Sequence, residues 1–598
     1  MSDDVIDVEA APTVLIRNGR VFDGAGSPSV EADVLVRDGV VAAIGLGLVA
    51  PAAATVVDAD GCWVTPGFID LHTHYDAELE IAPSLGESVR HGVTTVLIGS
   101  CGLSFVMGEP EDLADQFCRV EGVPRDVVLP LLETTKNWDD PSGYLAHLRS
   151  LPLGPNVTLF LGHSAVRTSV MGLERAVDAS AKPTRSERRE MLRLLDEALD
   201  AGYLGMSFNT LPWDKLGGDR FNSRPTPSVF ATFGEYRSFA KVLRERGRIF
   251  QVVPDLQGRW NIPVLMAMSA GVGRPALRMN LLSMLDPVVA HGSHRFIGAT
   301  TNAFNRVLRG DVRFQAVPLV FDLFVDGLDV PVMEEFGAGT QALAVGDLEA
   351  RRRLMSDPDF RARFRKQWNN QLAPRAYHRK LDEPVIVGCP DETLVGKTFG
   401  EVAAKRGVDA IEAFMDLQAQ FGHELRWRTV VANDRPRSVA QIANHPAAIM
   451  GFADSGAHLR NMAFYDLPLH LLRLAASADG GGGDDGGGGD DEPVLSPERA
   501  VYRMTGEIAD YLGIDAGRLV VGGRADIAVV DPATLDERLD NIVEDDSADV
   551  VGVDRLVRRH DECVTHVLVN GRLAWSDGAF VEGFGAQGGY GRVLTRVD

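Results

Sequence analysis

Basic residues are in deficit in this chain of 598 residues: 60 Lys and Arg stand against 84 Asp and Glu, for a formal net charge of -24. Phosphate backbones are held by clustered Lys and Arg, and no such cluster occurs here, which argues against a nucleic-acid partner. Cysteine is scarcer still. Its five copies, Cys62, Cys101, Cys118, Cys389 and Cys563, are odd in number, scattered and free of Cys-x-x-Cys spacing, so a disulfide framework is not expected and a reducing cytoplasm is. No apolar run is long enough to span a bilayer. The opening segment, MSDDVIDVEA, is acidic and lacks the basic start and apolar core of a signal peptide.

Length argues for one large domain of catalytic size with something smaller attached. Residues 12–65 read as short strands with Val/Ile alternation, punctuated by Asn-Gly and Asp-Gly turns. From residue 66 to about 514 the texture changes to apolar strand-like runs alternating with amphipathic helical ones, the pattern of β/α units on a parallel sheet. Candidate strands are GFIDLHTH, TTVLIG, VTLFLGH, GYLGMSF, RIFQVVP, LRMNLL and AIMGFADSG, with FQAVPLV as an eighth. Eight would close a (β/α)8 barrel, whose chemistry belongs at the C-terminal strand ends. Residues 515–585 return to short β-runs and turns. The two terminal segments are expected to form one β-sandwich beside the barrel, an α/β architecture overall. The Gly/Asp tract from Asp479 to Glu492 is of low complexity and reads as a disordered surface insertion.

His72 and His74 stand one residue apart at the end of the first candidate strand, in GFIDLHTH. Alternate side chains of a strand share a face, so both imidazoles aim at one point while Thr73 faces away. A structural histidine is the commoner reading of a lone ring beside an apolar run; two rings converging after a Pro-Gly turn predict metal ligation.

GFIDLHTH, the SCG after GVTTV, GHSAVRTSVMG, GFADSGAH and GRLVVGGRADIAVVDP together resemble the amidohydrolase superfamily, in its N-acyl-D-amino-acid deacylase (D-aminoacylase) branch. The match runs in order over nearly the whole chain. The resemblance implies a distorted TIM barrel, a flanking β-sandwich, and a divalent metal, usually zinc, that lowers the pKa of water and polarises a carbonyl. It makes Asp454, at the end of the last strand, the residue that takes a proton and returns it to the leaving nitrogen. Its competing reading is a helix N-cap near Ser455. Cys101 becomes a thiolate ligand rather than a small buried hydrophobe.

His163 is expected either to orient its loop or to contact substrate, and Arg167 and Arg460 are the cations available for a substrate carboxylate, with surface salt bridges as the ordinary alternative. His458, four residues after Asp454, would face the same mouth if a helical turn began there. Relatives of this branch supply histidines from the fifth and sixth strands; here Val253 and Asn280 occupy those positions. His291 and His294 lie in a polar turn and His445 at the entrance to the last strand, so neither place is expected to replace them. Lys136, Lys182, Lys215 and Lys241 all sit in polar loop or helix contexts, so no carboxylated lysine is expected to bridge two metals. The predicted ligand set is His72, His74, Asp454 and Cys101, holding one Zn2+ per chain.

The sequence thus points to hydrolysis of a non-peptide amide bond in a small molecule, an N-acyl amino acid or a related amide. Cyclic amide or imide opening uses the same chemistry. A non-catalytic scaffold that has lost two ligands is the rival from another class. Self-association into a homo-oligomer is left open.

Overall fold

The computed structural model describes residues 12–256, 258, 261–373, 375–479, 495–547 and 551–596. Both terminal segments enter one nine-stranded sheet. Trp63–Pro66 pairs antiparallel with Ile527–Val530, placing Val64 opposite Val529 across the junction. Two of its hairpins turn on Asp38-Gly39 and Asn570-Gly571, where both residues take positive φ, as a two-residue turn matched to strand twist requires. Alternation then buries Val14, Ile16, Val34, Val36, Ile527 and Val529 in an apolar core separate from the main one.

The large middle segment carries eight parallel strands in chain order: Phe68–Asp70, Val93–Ile98, Asn156–Leu159 continued by Leu161–Gly162, Gly205–Asn209, Ile249–Val253, Arg278–Leu281, Asp311–Ala316 and Ala448–Met450. Each overlaps one of the runs expected from sequence, the seventh least: Asp311–Ala316 begins three residues before FQAVPLV. They form a three-stranded and a six-stranded sheet rather than one continuous ladder. The third strand joins the two, because its first part pairs with the second strand and its last residues with the fourth. On the other side the first and last strands meet just beyond their ends. Thr73 bridges Ser455, the Asp454 N–H donates to His72 O at 3.1 Å, and the His74 N–H donates to Ser455 O at 2.8 Å.

Helices between the strands follow their sequence signals. Arg185–Ala201 opens on a Thr184/Glu187 capping box and buries Met191, Leu194, Leu195 and Ala198, one stripe at helical spacing. Between the seventh and eighth strands lies an element the sequence did not announce: an antiparallel sheet of Phe321–Asp326, Val385–Gly388 and Arg426–Ala432. It sits over the strand ends. Among the described residues no helix is long and apolar enough to cross a membrane. The Gly/Asp tract lies outside the described residues except for Asp479, which ends the helix Leu467–Asp479.

Candidate active site

Regular pairing of the first strand stops at Asp70, but the chain runs on extended to His74. His72 and His74 are both buried, with ring centroids 5.3 Å apart. His72 Nδ1 lies 2.6 Å from Gln315 Oε1, so that nitrogen carries the proton and Nε2 keeps a lone pair. Gln315, on the seventh strand, is held in turn by donating to Asn280 Oδ1. His74 Nδ1 lies 3.2 Å from Glu121 Oε1, a close approach without hydrogen-bond geometry, and its Nε2 faces Asp454.

Asp454 Oδ1 is 3.3 Å from Nε2 of both rings. This oxygen is buried without a hydrogen-bond partner. Donors 2.0–2.1 Å from a tetrahedral ion stand about 3.3–3.4 Å from one another, so His72, His74 and Asp454 have the spacing and the converging lone pairs that a divalent metal needs. Cys101 adds a sulfur: Sγ is 3.2 Å from His72 Nε2, and His72, His74 and Cys101 all offer donor atoms within 4.8 Å of one another. The expected four residues are therefore brought together, and they fit a metal ion.

Local chemistry explains why these residues reach the site. Gly99, Cys101 and Gly102 all have positive φ in the turn after the second strand. A side chain at Gly99 would place Cβ 2.3 Å from Phe160 O, so only glycine serves there. The Cys101 N–H donates to Gln251 Oε1 at 3.2 Å. Asp454 also takes a left-handed conformation, φ 57°, sparsely populated but tolerated by Asp and Asn. No helix begins at Asp454, so the capping alternative fails.

Burial works to push the Asp454 carboxyl up, but the His72 and His74 rings hold it well below the usual carboxylate range. Burial depresses His74 and His458 and raises the Cys101 thiol. Glu121 is pushed well up by burial and by Asp454. Asp214 is raised by burial to about 6.

His458 lines the cavity with Nε2 3.8 Å from Asp454 Oδ2. It does so from a turn in which it too has positive φ, not from a helix. His163 and Arg167 are not brought to the site. Both are fully buried against Glu235, whose carboxylate accepts from Arg167 Nη1 at 2.6 and 2.7 Å, and His163 also meets Ser228. Arg460 lines an adjoining chamber and is paired with Asp326 at 2.8 Å. His291 and His294 pair with Asp434 and Asp286 away from the cavity, and His445 packs beside Gly298. Val253 ends the fifth strand and lines the cavity, whereas Asn280 is wholly buried beneath it. Sequence reasoning missed Glu121, Asp214 and the amides Gln251 and Gln315. Glu121 and Asp214 come from long connections, and no spacing rule marks them.

The cavity beside the cluster holds about 240 Å3. Its walls combine His74, Cys101, Glu121, Asp214, Asp454 and His458 with apolar side chains from many separate segments, Phe321, Leu323 and Val431 of the antiparallel sheet among them.

Residues 55–218 match the family model described as the amidohydrolase family. An uncharacterised protein of Mycobacterium tuberculosis is 46% identical over 98% of this chain and 95% of its own. A D-aminoacylase of Alcaligenes xylosoxydans xylosoxydans is 26% identical over 98% of both chains. Among solved structures, an N-acyl-D-glutamate deacylase of Bordetella bronchiseptica, complexed with zinc and a phosphonate inhibitor, superposes with a TM-score of 0.61 at 23% identity, covering 98% of this chain and 100% of that one. On these likenesses the chain belongs to the amidohydrolase family, and its structural neighbours include D-aminoacylases.

Proposed function

We propose that this protein hydrolyses an amide C–N bond of a small molecule, an N-acyl amino acid or a related amide, at a single divalent metal, most simply zinc. The observation that carries the reading is the meeting of three lone pairs: Asp454 Oδ1, buried and unpartnered, 3.3 Å from Nε2 of His72 and of His74. A scaffold has no use for such a cluster at the floor of a cavity. The eight strands are read as a distorted (β/α)8 barrel of residues 66–514, flanked by a β-sandwich of residues 12–65 and 515–585. A D-aminoacylase of this fold is described as activated by one metal and attenuated by a second. One ion suits this chain, because Val253 and Asn280 bring no imidazole from the fifth and sixth strands.

When bound, a divalent ion supplies Lewis acidity to an amide carbonyl and makes water a nucleophile at neutral pH. His72, His74 and Asp454 would hold it, with Cys101 beside them. Gln315 fixes the His72 ring so that its Nε2 faces inward. Asp454 Oδ2, on the His458 side, accepts the proton of the attacking water and delivers it to the departing nitrogen. The lowered basicity of His458 keeps that ring neutral, so it does not compete for the proton. The test is hydrolysis of a panel of N-acyl amino acids and simple amides by metal-loaded and metal-stripped protein. Cleavage that is lost with the metal and regained on its return is expected. Equal cleavage in both states, or none in either, refutes the proposal.

A further inference from the structure

The cavity walls bear on what surrounds the bond that is cut. A substrate carboxylate in a buried site needs a cation, ordinarily an arginine whose planar fork takes both oxygens. Among the described residues, the cavity lining contains neither Arg nor Lys. Its polar groups are carboxyls, imidazoles, a thiol, Ser283 and Asn461. Its apolar surface comes from Leu211, Trp213, Val253, Leu285, Phe321 and Phe452, among others.

Neighbouring cations do not supply the lack. Arg167 is sealed behind the barrel wall with Glu235. The adjoining chamber, about 320 Å3, holds Arg119, Lys215 and Arg460, but also Asp214, Asp326, Asp329 and Glu334. Arg119 is bonded to Glu334 and Arg460 to Asp326, and Lys215, without an ion pair, is under the influence of the Glu334 and Asp214 carboxyls. Carboxylates thus outnumber cations on that side too. Asp214 faces both spaces and lines each of them. With its carboxyl at about 6 it is mainly ionised at neutral pH, and an approaching anion meets a like charge in a partly desolvated space.

From these walls, and resting on the hydrolase reading, we infer that the substrate is an uncharged, apolar amide with no free carboxylate next to the scissile nitrogen, and that Asp214 is a residue that excludes the charged alternative. About eight water volumes of space, taking ~30 Å3 each, suits a compact amide with apolar groups on both sides of the bond.

The experiment uses matched pairs that differ only in the carboxylate: N-acetyl-leucine, as the D and L forms, against N-acetyl-3-methylbutylamine, and N-acetyl-phenylalanine, likewise, against N-acetyl-2-phenylethylamine. Metal-loaded full-length protein should favour the uncharged member of each pair by at least about 100-fold in kcat/KM. Asp214→Asn should narrow that ratio several-fold. Because both members are measured on one preparation, the ratio is unaffected by how much of the variant is folded. Equal use of the two members, or preference for either carboxylate, overturns the inference and leaves the hydrolase reading standing. An unchanged ratio in Asp214→Asn removes the assigned role of Asp214. Cleavage of no member by protein shown to hold its metal overturns the hydrolase reading, and this inference with it.

Discussion

Replacing Asp454 by asparagine removes its carboxylate while keeping its shape and backbone, and a metal measurement on the same sample separates proton transfer from ligation. Its backbone has φ 57°, a region that asparagine enters as readily as aspartate. The bond from its N–H to His72 O, 3.1 Å, belongs to the main chain and survives the change. Shape is preserved as well, so the melting temperature should remain close to that of the parent. What is lost is the carboxylate that accepts the proton and returns it. General acid/base groups contribute about 100- to 10,000-fold, so turnover should fall by at least ~100-fold, or about 2.7 kcal/mol of barrier at 1.36 kcal/mol per factor of ten. The assay is steady-state hydrolysis of the best amide at saturating metal, with metal content measured on the same samples. Turnover within about tenfold of the parent, with metal bound, would refute the assignment and reduce Asp454 to a ligand or a turn residue.

Elemental analysis should find one metal per chain; His72→Ala and His74→Ala should abolish it together with activity, and Cys101→Ala should weaken its retention against a chelator. Two tightly held ions would contradict the ligand count. Gln315→Leu frees the His72 ring that Gln315 Oε1 holds at 2.6 Å, and chelator competition should show metal affinity reduced about 10- to 100-fold, as for other partners of ligating histidines; unchanged affinity would mean that packing alone orients the ring. Arg167→Met should lower stability at pH 7 by about 3–5 kcal/mol, because it strands Glu235 without its buried partner, while leaving KM unaltered. Burial pushes the Glu235 carboxyl up, but His163 and Arg167 hold it at about 2, below its unfolded value near 4.3; its stabilisation is therefore full above ~4.3 and lost as pH falls toward 2, so the deficit of the variant should shrink in denaturant titrations at acid pH.

Eight strands were legible because each is a short apolar run closed by glycine, proline or a polar turn, and parallel strands buried on both faces are written that way. The His-x-His spacing was legible for the same reason, although the pairing itself stops at Asp70 and the extended path continues beyond it. Asp454 and Cys101 were singled out through the resemblance of their strand-end motifs to those of the family, and the structure places both beside the two histidines. The antiparallel sheet at the mouth escaped notice because Phe321–Asp326 and its partners Val385–Gly388 and Arg426–Ala432 lie far apart in sequence, with helices between them. Arg167 misled for a different reason. A guanidinium four residues after a strand-end histidine looks like a substrate clamp, and only the fold shows Glu235 already occupying it. The carboxyls of Glu121 and Asp214, which line the cavity, depend on how two long connections fold over it, and no local pattern encodes that.

The sheet shared by both ends of the chain imposes a schedule on synthesis. The Trp63–Pro66 strand has its hydrogen-bonding partner about 460 residues further on, in Ile527–Val530. At ~5–20 residues per second, that edge waits roughly 25 to 90 s on the ribosome with its N–H and C=O groups unpaired. Apolar strands in that condition are templates for mispairing with other chains. Slowing elongation downstream of the first hairpins should therefore raise the aggregated fraction of newly made protein, and supplying residues 12–66 and 515–596 as a separate fused module should bring their pairing time down to that of an ordinary small β domain.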